Sequence, residues 1–549
     1  MLKMVDGTGI IGVDMVCPLG GAVSPPQPPN YDNVEMEGAG SLMLPNSLKA
    51  PLERLELIGN SMQGENPAPD NPQEIKSVGR KSRNLFDVTK LKKGVDTNYP
   101  TEIELVGETL IAKKDGGTSN QMLFEIELAN LEPNTTYEFT TNQIICKRKD
   151  LDTESAGRIF VFRAYKNESQ IENKGNVFTT SESKSDIYKI VFGIIAGDFG
   201  SLEYVKIEQP MLSHSGGSYE PYSDKYFLDV KITGKKLLSN KPTDWMIGKT
   251  TPWGAVPQTP VSYGKNVKNA IATINVKSST NYSFINKDTN KLWVCRIIEL
   301  DANGLGLVNH ALYANESFNY KKYSFSTRSN TANIVFEIKR VDNTELLSTD
   351  IESIKIMLVE GDIDESTPYE PYTEQTVQIA LDEPLRGIGD YKDVLTKDGV
   401  VRRIKRIVFD GSEDEKWGIG IERENVIDFV STQFSDATKI NEHQRSMMDK
   451  LKWSSGVWGR DEIGQDMFAR ILRINMPKTL APDLQTFKTW LSQNPLIVDY
   501  VLAEPVTEPL PESVQAQLSS LNSENGTTHI NIDSGEVLCG IKLTYRKEK

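Results

Sequence analysis

Two stretches of this 549-residue sequence are near copies of each other. The first runs Ile207-Glu208-Gln209-Pro210-Met211-Leu212 and, past a Ser/Gly-rich turn, Tyr219-Glu220-Pro221-Tyr222. The second runs Ile354-Lys355-Ile356-Met357-Leu358 and, past an acidic turn, Tyr369-Glu370-Pro371-Tyr372. Each residue of the second Tyr-Glu-Pro-Tyr lies 150 positions after its counterpart. That period exceeds the roughly 20–50 residues of a solenoid repeat and suits a whole domain. Two tandem domains of one kind are therefore expected, each closing in the same strand and exit turn.

The residues between the copies support the duplication. Phe124–Leu128, Thr136–Phe139, Ile159–Phe162 and Ile190–Ile194 alternate or are β-branched and aromatic, with Gly, Asn and Pro turns between them. Ser279–Phe284 matches Asn134–Phe139, Leu292–Cys295 matches Ile159–Phe162, and Asn333–Ile338 matches the strand at Val191. Helical periodicity is nearly absent, so each copy is expected to be a β-sandwich.

Outside the copies the pattern changes. Residues 1–45 hold Ser24-Pro25-Pro26-Gln27-Pro28-Pro29 between glycine-rich pieces and are expected to form an extended arm. Residues 46–82 carry two short strands around a turn-dense segment from Gly59 to Pro72. Phe227–Ile232 alternates strictly and links or begins the second domain. In the C-terminal part, Val377–Leu381 and Val400–Phe409 read as strands, with a hairpin turn at Lys397-Asp398-Gly399. Short helices are expected over Pro482–Leu491 and Pro511–Leu521, from apolar residues at helical spacing and prolines suited to a first turn. The expected fold is mainly β: two tandem jelly-roll β-sandwiches at 83–224 and 225–373, plus a β-rich module with a few short helices at 374–549.

Composition narrows the chemistry. A net charge of -14 argues against a general nucleic-acid binder, which needs a basic face, and against charge-driven binding to anionic lipid. No apolar run reaches the length of a membrane span and no signal-peptide core is present, so neither membrane insertion nor a secretory route of the chain's own is expected. Cys17, Cys146, Cys295 and Cys539 are scattered with no CxxC pair, which points to buried free thiols. His214, His310, His443 and His529 are equally dispersed and offer little for a metal or triad site.

Catalytic constellations fail on spacing. Gly248-Lys249-Thr250 lacks the glycine of a phosphate loop, since Thr243 stands there. Asp301-Ala302-Asn303-Gly304 lacks the later ligands of a calcium loop and reads as a hairpin turn. Glu413-Asp414-Glu415 beside Trp417 reads as a solvated turn, and the stripe Arg402-Arg403, Lys405-Arg406 as a strand whose charges pair with acidic turns or a neighbouring chain. No catalytic residue, metal or cofactor is expected. For sugar binding the candidates are Trp245 and Trp253, in a Pro/Gly/Thr-rich region early in the second domain, because an exposed indole can stack on a sugar face. The four tyrosines of the Tyr-Glu-Pro-Tyr motifs are expected to pack over rigid proline turns.

Three blocks carry a family resemblance. Gly59-Asn60-Ser61 with Asn66-Pro67-Ala68-Pro69-Asp70-Asn71-Pro72 through Gly79 is one. Glu383-Pro384-Leu385-Arg386-Gly387-Ile388-Gly389-Asp390-Tyr391-Lys392-Asp393, followed by Arg402-Arg403 and Val408-Phe409-Asp410-Gly411-Ser412-Glu413-Asp414, is the second, and Tyr500-Val501-Leu502-Ala503-Glu504-Pro505-Val506-Thr507 the third. Together they resemble tail proteins of phages infecting Gram-positive bacteria. Asn84-Leu85-Phe86 and the Met-Leu … Tyr-Glu-Pro-Tyr ending resemble carbohydrate-binding-module-like jelly rolls inserted into such proteins. The resemblance implies a virion component of the tail tip, baseplate or fibre, without enzymatic activity, engaged in host attachment. Its partners would be other tail proteins, further copies of itself (a trimer is expected) and host cell-wall carbohydrate. The alternatives are a cell-wall glycan hydrolase or depolymerase, and a spacer without a ligand. The block order also predicts that the strands near Leu55 to Val78 and those from Val377 onward build one module interrupted by the jelly rolls.

Overall fold

The computed structural model describes residues 31–548 except 48, 95–97, 115–119, 130, 184, 197–200, 215–218, 243–244, 248–268, 289–292, 302–305, 313–320, 341, 343, 345, 438–445, 452–463 and 469–470. The described residues are mainly β, in antiparallel sheets, with three short α-helices.

Both copies are antiparallel sandwiches and share one internal register. In the first, Tyr188–Ala196 pairs with Gln121–Leu128 on one side and Glu154–Lys166 on the other. In the second, Asn333–Arg340 lies between Asn269–Asn275 and Trp293–Leu300 in the same way. The opposing sheets are centred on Thr136–Thr140 and Asn281–Asn286. Across the first, Phe139 faces Leu212; across the second, Phe284 faces Leu358. The duplicated Met-Leu pair is thus a closing strand in an equivalent register in both domains. A stacked ring pair bridges the sheets in each core. Phe139 lies 4.4 Å from Phe192, and Phe284 lies 5.9 Å from Phe336. The copies differ just before closure, where the first uses the strand Leu202–Glu208 and the second the helix Ser348–Ser353.

The rest of the chain builds a platform from stretches far apart in sequence. One sheet orders Tyr31–Ala39, Gly540–Glu548, Leu55–Ile58, Val394–Leu395, Gly399–Phe409, Leu496–Pro509 and Ser446–Met448. The other orders Ser41–Ser47, Gly526–Asp533, Tyr226–Thr233 and Glu374–Leu381, with Arg80–Lys81 alongside Tyr226 and Phe227. Leu42, Leu57, Leu228, Ile379, Ile530 and Leu543 are among the buried residues of the core they share. Leu57 pairs with Leu395, and Val78 bridges to Leu385, so the interrupted module is present as pairing between residues 52–79 and 374–430. A side lobe grows from the ends of the two long strands. It buries Phe409, Trp417, Phe429 and Phe487, the last on the helix Leu484–Gln493, which Asp483 caps by accepting from the Thr486 amide at 2.7 Å. The helix Glu512–Ser519 falls within the second predicted span.

Three expected boundaries move. Residues 31–45, assigned to an extended arm, belong to two platform strands, Tyr31–Ala39 and Ser41–Ser47, joined at Gly40, whose φ of +68° suits glycine. The Pro-rich segment 24–29 lies outside the described residues. The second sandwich does not begin at 225, because Tyr226–Thr233 pairs with Gly526–Asp533 and Glu374–Leu381 and buries Leu228, Val230 and Ile232 in the platform. Residues 374–549 are not a self-contained module, since their strands complete sheets begun by residues 31–82.

These pairings explain how two sandwiches interrupt one module. Lys81 pairs with Tyr226, so the chain leaves for the first sandwich and returns at adjacent positions. Thr233 pairs with Glu374, which does the same for the second. An insertion whose ends already sit side by side adds little closure entropy to the host fold. One strand therefore carries a sandwich at each end, the two necks standing roughly 23 Å apart at strand rise.

Candidate functional site: a cleft at the first neck

Arg80 organises the first neck. It is 7% exposed, lies over the Phe227 ring at 5.2 Å, and donates to Asp229 at 2.7 Å and Glu220 at 3.0 Å. Burial opposes its charge, but the bonds to Glu220 and Asp229 outweigh that and raise its pKa. Glu220, from the first Tyr-Glu-Pro-Tyr, also accepts the Arg83 amide at 3.1 Å, and Arg83 reaches Asp533 at 2.7 Å. The exit turn of the sandwich is thus bolted to the segment by which the chain left.

At the second neck the same motif uses different chemistry. The Lys236 amine is buried and donates to the Tyr369 hydroxyl at 3.2 Å and to Asn240. Burial pushes it down to about 7. Burial pushes the Glu374 carboxyl up, yet Lys231, Lys241 and Tyr372 donate to it and hold it at about 2.

Beside the first neck, the first sandwich and the platform enclose an open-sided cleft of about 1500 Å³. On the platform side it is lined by Ile75, Lys76, Lys81, Tyr226, Arg406 and Glu536, and on the sandwich side by Ala129, Leu131, Ser185, Met211 and His214. The exposed His214 ring stands edge-on to Tyr137 at 4.9 Å. Lys81 covers the Tyr226 ring at 3.6 Å and donates to the Asp224 carbonyl at 2.9 Å. Arg406 is held by Asp499 through two bonds of 2.7 and 2.8 Å, and Lys76 pairs with Glu536.

The residues singled out in the sequence fall elsewhere. Trp245 is 3% exposed, packs edge-on to Phe336 at 6.1 Å, and donates its indole N–H to the Ser239 carbonyl at 2.9 Å. The ring is part of the second sandwich core, which corrects its candidacy as a sugar platform. Trp253 lies outside the described residues, as do Cys17, His443 and Gly248-Lys249-Thr250. Cys146, Cys295 and Cys539 are buried free thiols, pushed up by that burial. Glu413 and Asp414 are exposed, as a solvated turn has them, but Glu415 corrects that reading for its own position. It is 3% exposed and accepts from the Gly411 amide and, at 2.7 Å, from the Trp417 indole. In the basic stripe, Arg402 meets Glu508 and Asp393 while Arg406 meets Asp499. Asp393 itself accepts the amides of Arg386, Arg403 and Ile404, so the second resemblance block is a structural joint.

Nothing in the sequence sets His214 apart from the other dispersed histidines, and the cleft leaves no signal there. Its walls come from segments between positions 72 and 537 and share no spacing.

No family model matches the chain, and no curated protein does. Among solved structures, the single-particle cryo-EM structure of arabinofuranosyltransferase AftD from Mycobacteria aligns at 8% identity with a TM-score of 0.12. The alignment covers 79% of this chain and 34% of that one, and a likeness this weak carries no argument.

Proposed function

We propose that this chain is a non-enzymatic structural component of a phage tail tip, baseplate or fibre that attaches the virion to carbohydrate on a Gram-positive host. Its partners are neighbouring tail proteins and further copies of itself, as a trimer. The observation that supports the reading best is the pair of equivalent sandwiches carried at the two ends of one buried platform strand. Duplicated modules on a shared base suit recognition by many weak contacts, and oligomerisation multiplies them. The three sequence blocks that resemble phage tail proteins support the same reading, and they lie in the platform and its side lobe rather than in the sandwiches.

The test is a sedimentation assay of the full-length protein with isolated cell walls from a panel of Gram-positive species. Retention in the pellet without release of reducing sugar is expected. Release of reducing sugar would favour the hydrolase alternative, and failure to sediment with any wall would leave a spacer.

A further inference from the structure

We propose that the cleft at the first neck binds a segment of a neutral saccharide chain, held jointly by the first sandwich and the platform. This rests on the attachment reading above and names its site and ligand class. At about 1500 Å³ the cleft exceeds the roughly 300–1,000 Å³ of a small-molecule pocket, and its open sides let a polymer pass through.

Charge selects the polymer. Five cations line the cleft, and four of them already engage carboxylates. Lys76 meets Glu536, Arg80 meets Glu220 and Asp229, Arg83 meets Asp533, and Arg406 meets Asp499. The fifth, Lys81, sits over the Tyr226 ring. To engage Arg80 or Arg406, a phosphate-rich polymer would have to break their pairs and strand the buried carboxylates of Glu220 and Asp499, which is costly. Neutral sugar hydroxyls need no such exchange. Half-exposed pairs such as Arg83 with Asp533, at 48% and 50% side-chain exposure, offer donors and acceptors together. Lys81 is exposed and can swing aside to uncover Tyr226, which with the exposed His214 gives rings for the C–H faces of a sugar.

The test uses the full-length chain on the same isolated walls. Ala129 is exposed at the cleft, so Ala129→Trp places a ring in the opening and not in a core. Ser185→Trp, on another exposed loop of the cleft, is the second block, and Ala129→Ser the control. Each block is expected to weaken wall binding about tenfold or more with the melting profile unchanged, and wild-type binding to vary less than about twofold from low to high salt. Undiminished binding by both tryptophan variants would overturn the cleft. Binding that collapses with salt, or that soluble poly(glycerol phosphate) displaces, would overturn the neutral class. Absence of wild-type binding to any wall would instead overturn the attachment reading, and this proposal with it.

Discussion

Arg80 and Lys236 show two ways of burying a cation at a neck. Arg80 is matched by Glu220 and Asp229, so removing it strands two carboxylates, one of them buried. Arg80→Met is expected to cost about 3–5 kcal/mol, read as lost hydrogen-exchange protection at Lys81 and Tyr226. Among the described residues no carboxylate is bonded to Lys236, and its amine is pushed down to about 7. In the unfolded chain a lysine keeps its proton to about 10.4. Between about pH 7 and 10 the unfolded chain therefore holds the extra proton, and stability rises with pH across that window. Lys236→Met is expected to abolish the rise and to raise the melting temperature at pH 6. Glu374 gives a slope of the same sign at lower pH, since its carboxyl is held at about 2. Its contribution is complete above the ordinary glutamate value of about 4.3 and is lost as pH falls toward 2. Acid unfolding of the wild type should therefore begin with lost exchange protection at Thr233 and Glu374.

The loops before Thr136–Thr140 and Asn281–Asn286 are built alike. Tyr137 accepts the Glu132 amide at 3.1 Å, and Tyr282 accepts the Lys277 amide at 2.9 Å. Thr180 and Thr327 donate to the carbonyls of the same two residues, each at 2.6 Å. Asn134 and Ser279 turn the chain at φ of 51° and 50°. Tyr137→Phe and Tyr282→Phe each leave an amide unpaired, and each is expected to cost about 1–2 kcal/mol in urea unfolding monitored by exchange. The double variant should be additive, because the two tyrosines belong to different cores. Much of this was legible beforehand. The match of Ser279–Phe284 with Asn134–Phe139 aligns Tyr282 with Tyr137, and strand alternation marks both as inward-facing. The helix Ser348–Ser353 was not, since six residues give no readable helical period.

The necks make the sandwiches removable in principle. Thr233 and Glu374 are paired partners, so replacing residues 234–373 by a two-residue Asn-Gly turn should leave a folded platform. Retained exchange protection along Tyr226–Thr233 is the expected outcome, and a collapsed or aggregated product would show that the second sandwich is part of the platform's fold. Joining Lys81 to Tyr226 in the same way should remove the first sandwich and, with it, the cleft.

The residues by themselves determined the β class, the duplication, the closing strand and the helices at Leu484–Gln493 and Glu512–Ser519, because period-two alternation and local turn chemistry record which face of a segment is buried. They do not record what it is buried against. Pairing over long separations decided that. Leu55 meets Leu543, which joins segments nearly 500 residues apart in one sheet, and Tyr226–Thr233 takes its partners from positions 374–381 and 529–533. Trp245 is the clearest instance: a loop rich in Pro, Gly and Thr suggests an exposed ring, and the fold turns that ring onto Phe336. The cleft at the first neck belongs wholly to this second kind of information, since it exists only where the inserted sandwich comes to rest against the platform.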